Sequence, residues 1–218
     1  MKPEKQAQPQ RRALLLALTA GATLPALQAC APLVVGGAAT GAAMVYTDRR
    51  TSGAYVEDEG IEWKARRALK EELGNAAKIS VVSYNRNVLL TGQVPDESMR
   101  KQAEDIVYRV EHVNGVANEL QVAGRATLTE QGNDAMLTSM VKTRLFDSPD
   151  VAANLIKVVT ELNTVYLMGL VTRAEADAAT EIARTTRNVQ KVVRVFEIIS
   201  DEEAARLDVA ARSDPPES

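Results

Sequence analysis

Apolar and polar positions follow a pattern that occurs twice along the chain, at an offset of 76 to 77 residues. The apolar run VLLTGQV at 88–94 matches VYLMGLV at 165–171. Before each run, apolar residues recur at helical spacing. In the first copy they are Ile61, Ala65, Ala68, Leu69 and Leu73, and in the second Leu137, Val141 and Leu145. The pattern therefore predicts an amphipathic helix at the start of each copy.

Two short apolar runs follow each helix, separated by a turn. In the first copy, Asn85-Arg86-Asn87 separates 79–84 from 88–92, and in the second, Asn163-Thr164 separates 156–162 from 165–169. Asn tolerates left-handed backbone angles, so each pair of runs predicts a β-hairpin. A second helix and a last strand, at 116–122 and 192–199, then close each copy. The apolar faces of these second helices are Ala103, Ile106, Val107 and Val110, and Ala179, Ile182, Ala183 and Thr186.

The predicted order in each copy is helix, strand, strand, helix, strand, which is an α/β (α+β) fold. A three-stranded sheet with both helices on one face buries the apolar positions most simply. We assign the two domains to 60–124 and 132–199. Units of roughly 65 residues have small cores, so we expect the two to pack on each other. Residues 200–218 form a C-terminal tail whose acidic 201–203 could start a helix and whose end we expect to be disordered.

Residues 1–29 have the layout of a secretory signal peptide. Four basic residues precede an apolar stretch at 13–27, which is shorter than the roughly 20 residues that span a bilayer. Cys30, the only cysteine, follows Leu27-Gln28-Ala29. These four residues resemble the bacterial lipobox, which implies cleavage before Cys30, a diacylglycerol on its sulfur and an acyl chain such as palmitate on its amine. An ordinary signal peptide cut near Ala29 is the alternative, and Sec and twin-arginine export both stay open.

Several acyl chains would hold the mature protein on a membrane essentially permanently. Without residues 1–29 the chain has 22 Lys plus Arg against 28 Asp plus Glu, a net charge of −6. This balance argues against non-specific nucleic-acid binding. We assign 30–59 to a lipidated tether because 31–45 is rich in Gly and small apolar residues and 47–59 is polar. The alternative for 31–45 is a short helix or strand packed on the first domain.

Several segments together resemble a known family, the dual BON-domain outer-membrane lipoproteins. They are TDRRTSG at 47–53, SVVSY at 80–84 with VLLTGQ at 88–93, Asn133-Asp134, and MGLVT at 168–172. The resemblance implies two tandem BON domains on a periplasm-facing lipoprotein of the outer membrane, which binds anionic phospholipid and supports envelope integrity. Ala31 after Cys30, in place of Asp, fits the sorting pattern for release to the outer membrane.

The two repeats serve as controls for each other, and the comparison singles out one helix. Aligning Ile61 with Leu137 places Met136, Met140 and Phe146 where the first copy has Gly60, Lys64 and Lys70. Lys142 and Arg144 lie on the same helix. Apolar side chains beside cations suit insertion into an anionic lipid surface, so the predicted phospholipid site is Met136, Met140, Lys142, Arg144 and Phe146. The alternative is that the two methionines and Phe146 pack against the first domain.

Other candidate residues receive structural interpretations. The chain has only eight aromatic residues, so we expect Tyr55 and Trp63 to pack between the domains; an interfacial anchor is the alternative. Arg49 and Arg50, near the tether, could contact lipid headgroups or simply be solvated. His112, the only histidine, is interpreted as a helix-end or surface residue.

The sequence has no pattern typical of an enzyme. It contains no Cys/His cluster for a metal and no nucleophile-elbow motif, and we expect no cofactor apart from the covalent lipid on Cys30. The predicted function is a lipid-anchored phospholipid-binding protein. A protein-interaction adaptor for an outer-membrane assembly pathway is the second hypothesis, and an envelope hydrolase is a weaker third.

Overall fold

The computed structural model describes residues 48–75, 77–124 and 128–213. In the first repeat, helix α1 (Ser52–Leu73) is followed by strands β1 (Lys78–Tyr84) and β2 (Asn87–Val94). Helix α2 (Glu97–Tyr108) and strands β3 (Gly115–Asn118) and β4 (Gln121–Val122) complete it. The predicted last strand is thus interrupted, and both of its pieces run parallel to β2.

The second repeat has the same order of elements. Helix α3 (Leu128–Phe146) is followed, after a short 3-10 turn at Ala153–Leu155, by strands β5 (Lys157–Glu161) and β6 (Thr164–Val171). Helix α4 (Arg173–Arg184) and strand β7 (Lys191–Ile198) follow. In each sheet the first two strands are antiparallel and the last is parallel to the second. The predicted α+β fold is therefore confirmed.

Helix α1 begins at Ser52, inside the segment that the sequence assigned to the tether. Thr51 is its N-cap, and the Thr51 hydroxyl accepts a hydrogen bond from the Ala54 backbone N–H at 3.1 Å. The early start was missed because the first turns are polar. One of those polar residues, Asp58, faces the interior of the protein and is buried.

The cores lie in three layers. Each repeat has a core between its two helices and its sheet, and the helical faces predicted from the sequence contribute to both. A third cluster lies between the two sheets and includes Tyr84, Leu89, Tyr166, Met168 and Leu170. Strand β6 is consequently buried along its whole length, since helices cover one face and the first repeat covers the other. The prediction that the two units pack on each other is confirmed.

The start of the tail is helical, as predicted. Helix α5 (Asp201–Ser213) begins at the acidic cluster, and its Leu207 packs against the cluster between the sheets. Four sequence predictions lie outside the described residues: the signal peptide, Cys30 with its lipid, the structure of 31–45, and the end of the tail.

Candidate functional site

Helix α3 is positioned by a buried face and by a hydrogen-bonded aspartate. Leu137, Val141 and Leu145 are buried in the core of the second repeat. Asp134, one turn before them, is also buried, and its carboxylate accepts the backbone N–H groups of Leu162 and Asn163 at 2.8 and 2.9 Å. The buried face and the hydrogen bonds of Asp134 lie on the same side of α3, so the opposite side of the helix points to solvent.

Two of the three predicted apolar groups are on that outer side. The exposed fraction is 66% for Met136 and 58% for Phe146. Met140 is half-buried and lines a groove formed entirely by the second repeat. The alternative in which Met136 and Phe146 are covered by the first domain therefore does not hold. We call Met136, Met140, Lys142, Arg144 and Phe146 the α3 patch.

The two basic residues of the α3 patch have different surroundings. Arg144 donates hydrogen bonds to the Ile182 carbonyl and the Thr186 and Thr185 hydroxyls, at 2.8, 2.8 and 3.0 Å. These partners lie at the C-terminal end of α4, where a cation is electrostatically favourable. Lys142 is exposed and forms no ion pair with any residue that the structure describes. Lys142 is therefore the cation that is free to meet a ligand, whereas Arg144 also joins two helices.

No acidic side chain is exposed on α3 between Asn133 and Phe146, because Asp134, the one acid in this range, is buried. The equivalent range of α1, residues 57–70, contains three further acids: Glu57, Glu59 and Glu62. Within this range, the first helix of the second repeat thus presents apolar groups and a cation with no exposed acid between them, and the exposed Glu130 and Asp147 lie outside it. This difference is the electrostatic basis for assigning a binding surface to α3.

A groove of about 380 Å³ lies beside the α3 patch. Its polar walls are carboxamides from three separate segments, and it is lined by Asn133, Met136, Leu137, Met140, Asn163, Asn188, Val189 and Gln190. Arg187, which directly precedes the groove residue Asn188, is exposed and has no ion pair within the described ranges. The sequence analysis missed these groove residues because their segments are far apart in the chain.

The predictions for Arg49 and Arg50 were wrong. Arg49 is buried, with 5% of its surface exposed. Its guanidinium donates to both carboxylate oxygens of Glu175 at 2.7 and 2.9 Å, to both of Asp208 at 2.8 and 3.1 Å, and to the Leu170 carbonyl at 3.1 Å. Arg49 therefore fixes the residues before α1 to the second repeat and to α5. It is an internal contact and does not face a membrane.

Arg50 is also an internal contact. It forms ion pairs with Asp48 and Asp58, at 2.7 and 2.9 Å. Its guanidinium carbon lies 4.1 Å from the centre of the Tyr84 ring. Burial alone would lower the pKa of Arg49 and of Arg50, but the hydrogen bonds from each to its carboxylates outweigh burial and raise both. Both arginines are therefore charged and fully engaged inside the fold.

The aromatic residues of α1 also differ from the prediction. Tyr55 and Trp63 do not pack between the domains, since both are more than half exposed. They lie on the side of α1 that faces away from the core. His112 is an exposed residue with a φ of 69° after the end of α2, as predicted.

Among the described residues, no cluster of His, Cys, Asp and Glu could hold a metal ion. In the same part of the chain, no helix has the length and apolar character needed to cross a membrane.

The comparison with known proteins decides the family. The BON domain matches residues 57–124 and 133–200, which are the two structural repeats. The chain belongs to the BON family. The resemblance found in the sequence implied both BON domains, and the fold of each agrees with the assignment.

Three proteins are similar to this chain over most of its length. The chain is 39% identical over 186 residues to the outer membrane lipoprotein DolP of Haemophilus influenzae, covering 84% of this chain and 95% of DolP. It is 34% identical over 154 residues to a 21 kDa hemolysin of Actinobacillus pleuropneumoniae, covering 70% and 79%. It is 28% identical over 144 residues to osmotically-inducible protein Y of Escherichia coli, covering 64% and 72%. The chain is thus a DolP-like dual BON-domain protein, of the outer-membrane lipoprotein type that the sequence predicted.

Proposed function

We propose that this dual BON-domain protein binds anionic phospholipid through the α3 patch, while lipid on Cys30 anchors it to the periplasmic face of the outer membrane, where it supports envelope integrity. The observation that carries the proposal is the exposure of Met136 and Phe146 on the same helix as the unpaired Lys142, in a range, 133–146, whose one acid, Asp134, is buried. An anionic bilayer offers both an apolar interior for the first two and negative headgroups for the third.

The expected contributions are large enough for reversible binding. Burying an exposed Met or Phe side chain contributes about 1.5 to 3 kcal/mol, and a Lys near an anionic leaflet contributes about 1 kcal/mol. Anchoring by covalent lipid raises the effective concentration of the patch at the bilayer, so that weak contacts suffice. The α3 patch then senses the composition of a leaflet to which the protein is already attached.

Vesicle co-sedimentation tests the proposal. The protein is the chain from residue 30 onward with Cys30→Ser, which lacks the covalent lipid but keeps every described helix and strand. We expect it to bind vesicles that contain anionic phospholipid and not purely zwitterionic ones. The double variant Met136→Glu, Phe146→Glu is expected to weaken binding at least about tenfold, because it removes the apolar contacts and adds repulsion. Lys142→Glu is expected to act in the same direction and to reduce the dependence on salt.

Tyr108→Glu is the matched control, since Tyr108 is as exposed as Met136 but lies at the end of α2. Arg144 is a poor test residue because its loss would also free the end of α4. If the double variant binds like the parent chain, the α3 patch is not the lipid site. If the parent chain binds no anionic vesicles, phospholipid binding itself is contradicted, and the adaptor role becomes the better account.

The proposed role is non-enzymatic, in keeping with the BON domains of this chain and its similarity to an outer membrane lipoprotein. In this proposal, the described side chains form a contact surface and not an active site. Assays for ester and glycoside hydrolysis test the remaining hydrolase hypothesis directly.

A further inference from the structure

A second exposed apolar surface lies on α1, in the first repeat. The exposed fraction is 68% for Val56 and 60% for Trp63, and Tyr55 lies next to them. Trp63 is the only tryptophan in the chain. Exposed aromatic groups of this size commonly mark interaction surfaces, and Trp, Tyr and Arg dominate the binding energy of protein interfaces. The proposed lipid site on α3 does not account for this surface.

Charged residues on the same side of α1 are incompletely paired. Glu59 and Lys70 are exposed, and neither forms an ion pair with a described residue. Arg67 lies with its guanidinium carbon 5.6 Å from the Trp63 ring and pairs with Glu71 in an exposed contact, which contributes little to stability. We call Val56, Glu59, Trp63, Arg67 and Lys70 the α1 stripe.

The order of residues in the α1 stripe is self-complementary. Val56 and Glu59 precede Trp63 by seven and four residues, and Arg67 and Lys70 follow it by four and seven. These spacings place all five residues on one side of a helix. When two copies cross antiparallel at Trp63, Glu59 of each meets Arg67 and Lys70 of the other. A two-fold axis therefore forms two equivalent clusters, each with the acid of one copy and the two cations of the other.

We propose that the α1 stripe is a dimer interface that receives a second copy of this chain. Charge complementarity selects this partner, because one stripe supplies both the acid and the cations that the other requires. An anionic bilayer fits less well, since it would oppose the unpaired Glu59. The five residues of the stripe are fewer than the roughly 20 to 30 residues that each partner contributes to a standard interface. Association is therefore weak in solution and is promoted by confinement of anchored copies to one membrane.

Cross-linking and sedimentation test the dimer. In the chain from residue 30 with Cys30→Ser, Trp63→Cys introduces the only thiol at the proposed two-fold axis. We expect mild oxidation to join the copies through this residue, whereas Tyr108→Cys, at an equally exposed position on α2, should cross-link at least about tenfold less. Sedimentation of the Cys30→Ser chain should show reversible dimerisation over a hundredfold range of concentration.

Exchanging the charges of Glu59 and Lys70 distinguishes a second copy of the chain from any other partner of the α1 stripe. Glu59→Lys and Lys70→Glu disturb no ion pair among the described residues. Each alone is expected to weaken self-association roughly tenfold through like-charge contact, and the combination is expected to restore it.

Three results would overturn the proposal: equal cross-linking at the two cysteine positions, a monomer throughout the concentration range, or no restoration in the double variant. A blue shift of Trp63 emission on adding anionic vesicles to the Met136→Glu, Phe146→Glu variant, which α3 no longer holds at the membrane, would also overturn it and assign the stripe to the membrane. None of these results bears on lipid binding by α3, which is measured separately with the α3 variants.

Discussion

At the scale of single residues, one aspartate in each repeat determines the geometry of a hairpin. Asp58 and Asp134 occupy equivalent positions, and each accepts the two consecutive backbone N–H groups of a tight turn. All four turn residues have positive φ, which is unfavourable for side chains such as Leu162, at 47°. The hydrogen bonds to Asp134 account for this conformation. The sequence predicted both turns but placed the second one residue late, because Leu162 carries no signal for a turn.

Replacing Asp58 by Asn is expected to make the free energy of unfolding depend less on pH in the acidic range. Burial alone raises the pKa of Asp58, but hydrogen bonds from the Ser83 hydroxyl and the backbone N–H groups of Arg86 and Asn85 outweigh it and lower the pKa. A carboxylate with a lowered pKa stabilises the fold above its unfolded-state pKa of about 4, and this stabilisation disappears as the pH falls through the folded-state value. Asp58→Asn should lower the free energy of unfolding by about 2 kcal/mol near neutral pH.

Urea unfolding at a series of pH values measures this effect. The difference between Asp58→Asn and the parent chain should shrink below about pH 4. Asp177→Asn, at an exposed residue that pairs with Arg194, is the control and should change little at any pH. A difference that stays constant down to strongly acidic pH would contradict the assigned role of Asp58.

At the scale of elements, the helices and strands could be predicted largely from the repeat, whereas their connections could not. Periodicity identifies the face that each helix buries, since the core residues recur at fixed spacing. It does not show that Arg49 is buried, because its partners Glu175 and Asp208 lie 126 and 159 residues further along the chain. The same limit applies to Trp63, whose aromatic character suggested burial although its position on α1 faces solvent.

Replacing Arg49 by Met is expected to destabilise the protein by about 3 kcal/mol, because a largely buried ion pair loses one partner. The loss should appear first as weaker protection of α5 backbone amides from hydrogen exchange, since Asp208 on α5 would lose its contact. Arg173→Met is the matched control: Arg173 is exposed and without an ion pair in the described part of the chain. Its effect should stay within about 0.5 kcal/mol. Equal destabilisation by the two variants would show that Arg49 is not the link between these elements.

At the scale of the whole molecule, the two repeats pack through their sheets and leave their helices on the outside. The two BON domains share the buried cluster between their sheets, and Lys157 of one contacts Glu62 and the Ser83 carbonyl of the other at 3.3 and 3.2 Å. With the sheets facing each other, the helices of both domains are left on the outside. Each domain therefore exposes its first helix, and we propose a different partner for each: lipid for α3 and a second copy for α1.

The α3 patch could be predicted by comparing the repeats, because an apolar residue in one copy and a polar residue at the same position in the other cannot both serve a shared core. The groove beside it could not, since it brings together Asn133, Asn163 and 188–190 only after folding. For the same reason, the sequence identified Arg144 as a cation of the patch but did not predict its hydrogen bonds to the end of α4.

The most direct test of the account is a nuclear magnetic resonance titration of the isotope-labelled Cys30→Ser chain with anionic micelles, using zwitterionic micelles as the control. We expect the backbone amides of 133–146 and the groove residues 188–190 to shift with anionic micelles only, while those around Trp63 stay unchanged. Shifts centred on α1, or equal shifts with both kinds of micelle, would contradict the assignment of the lipid site to α3.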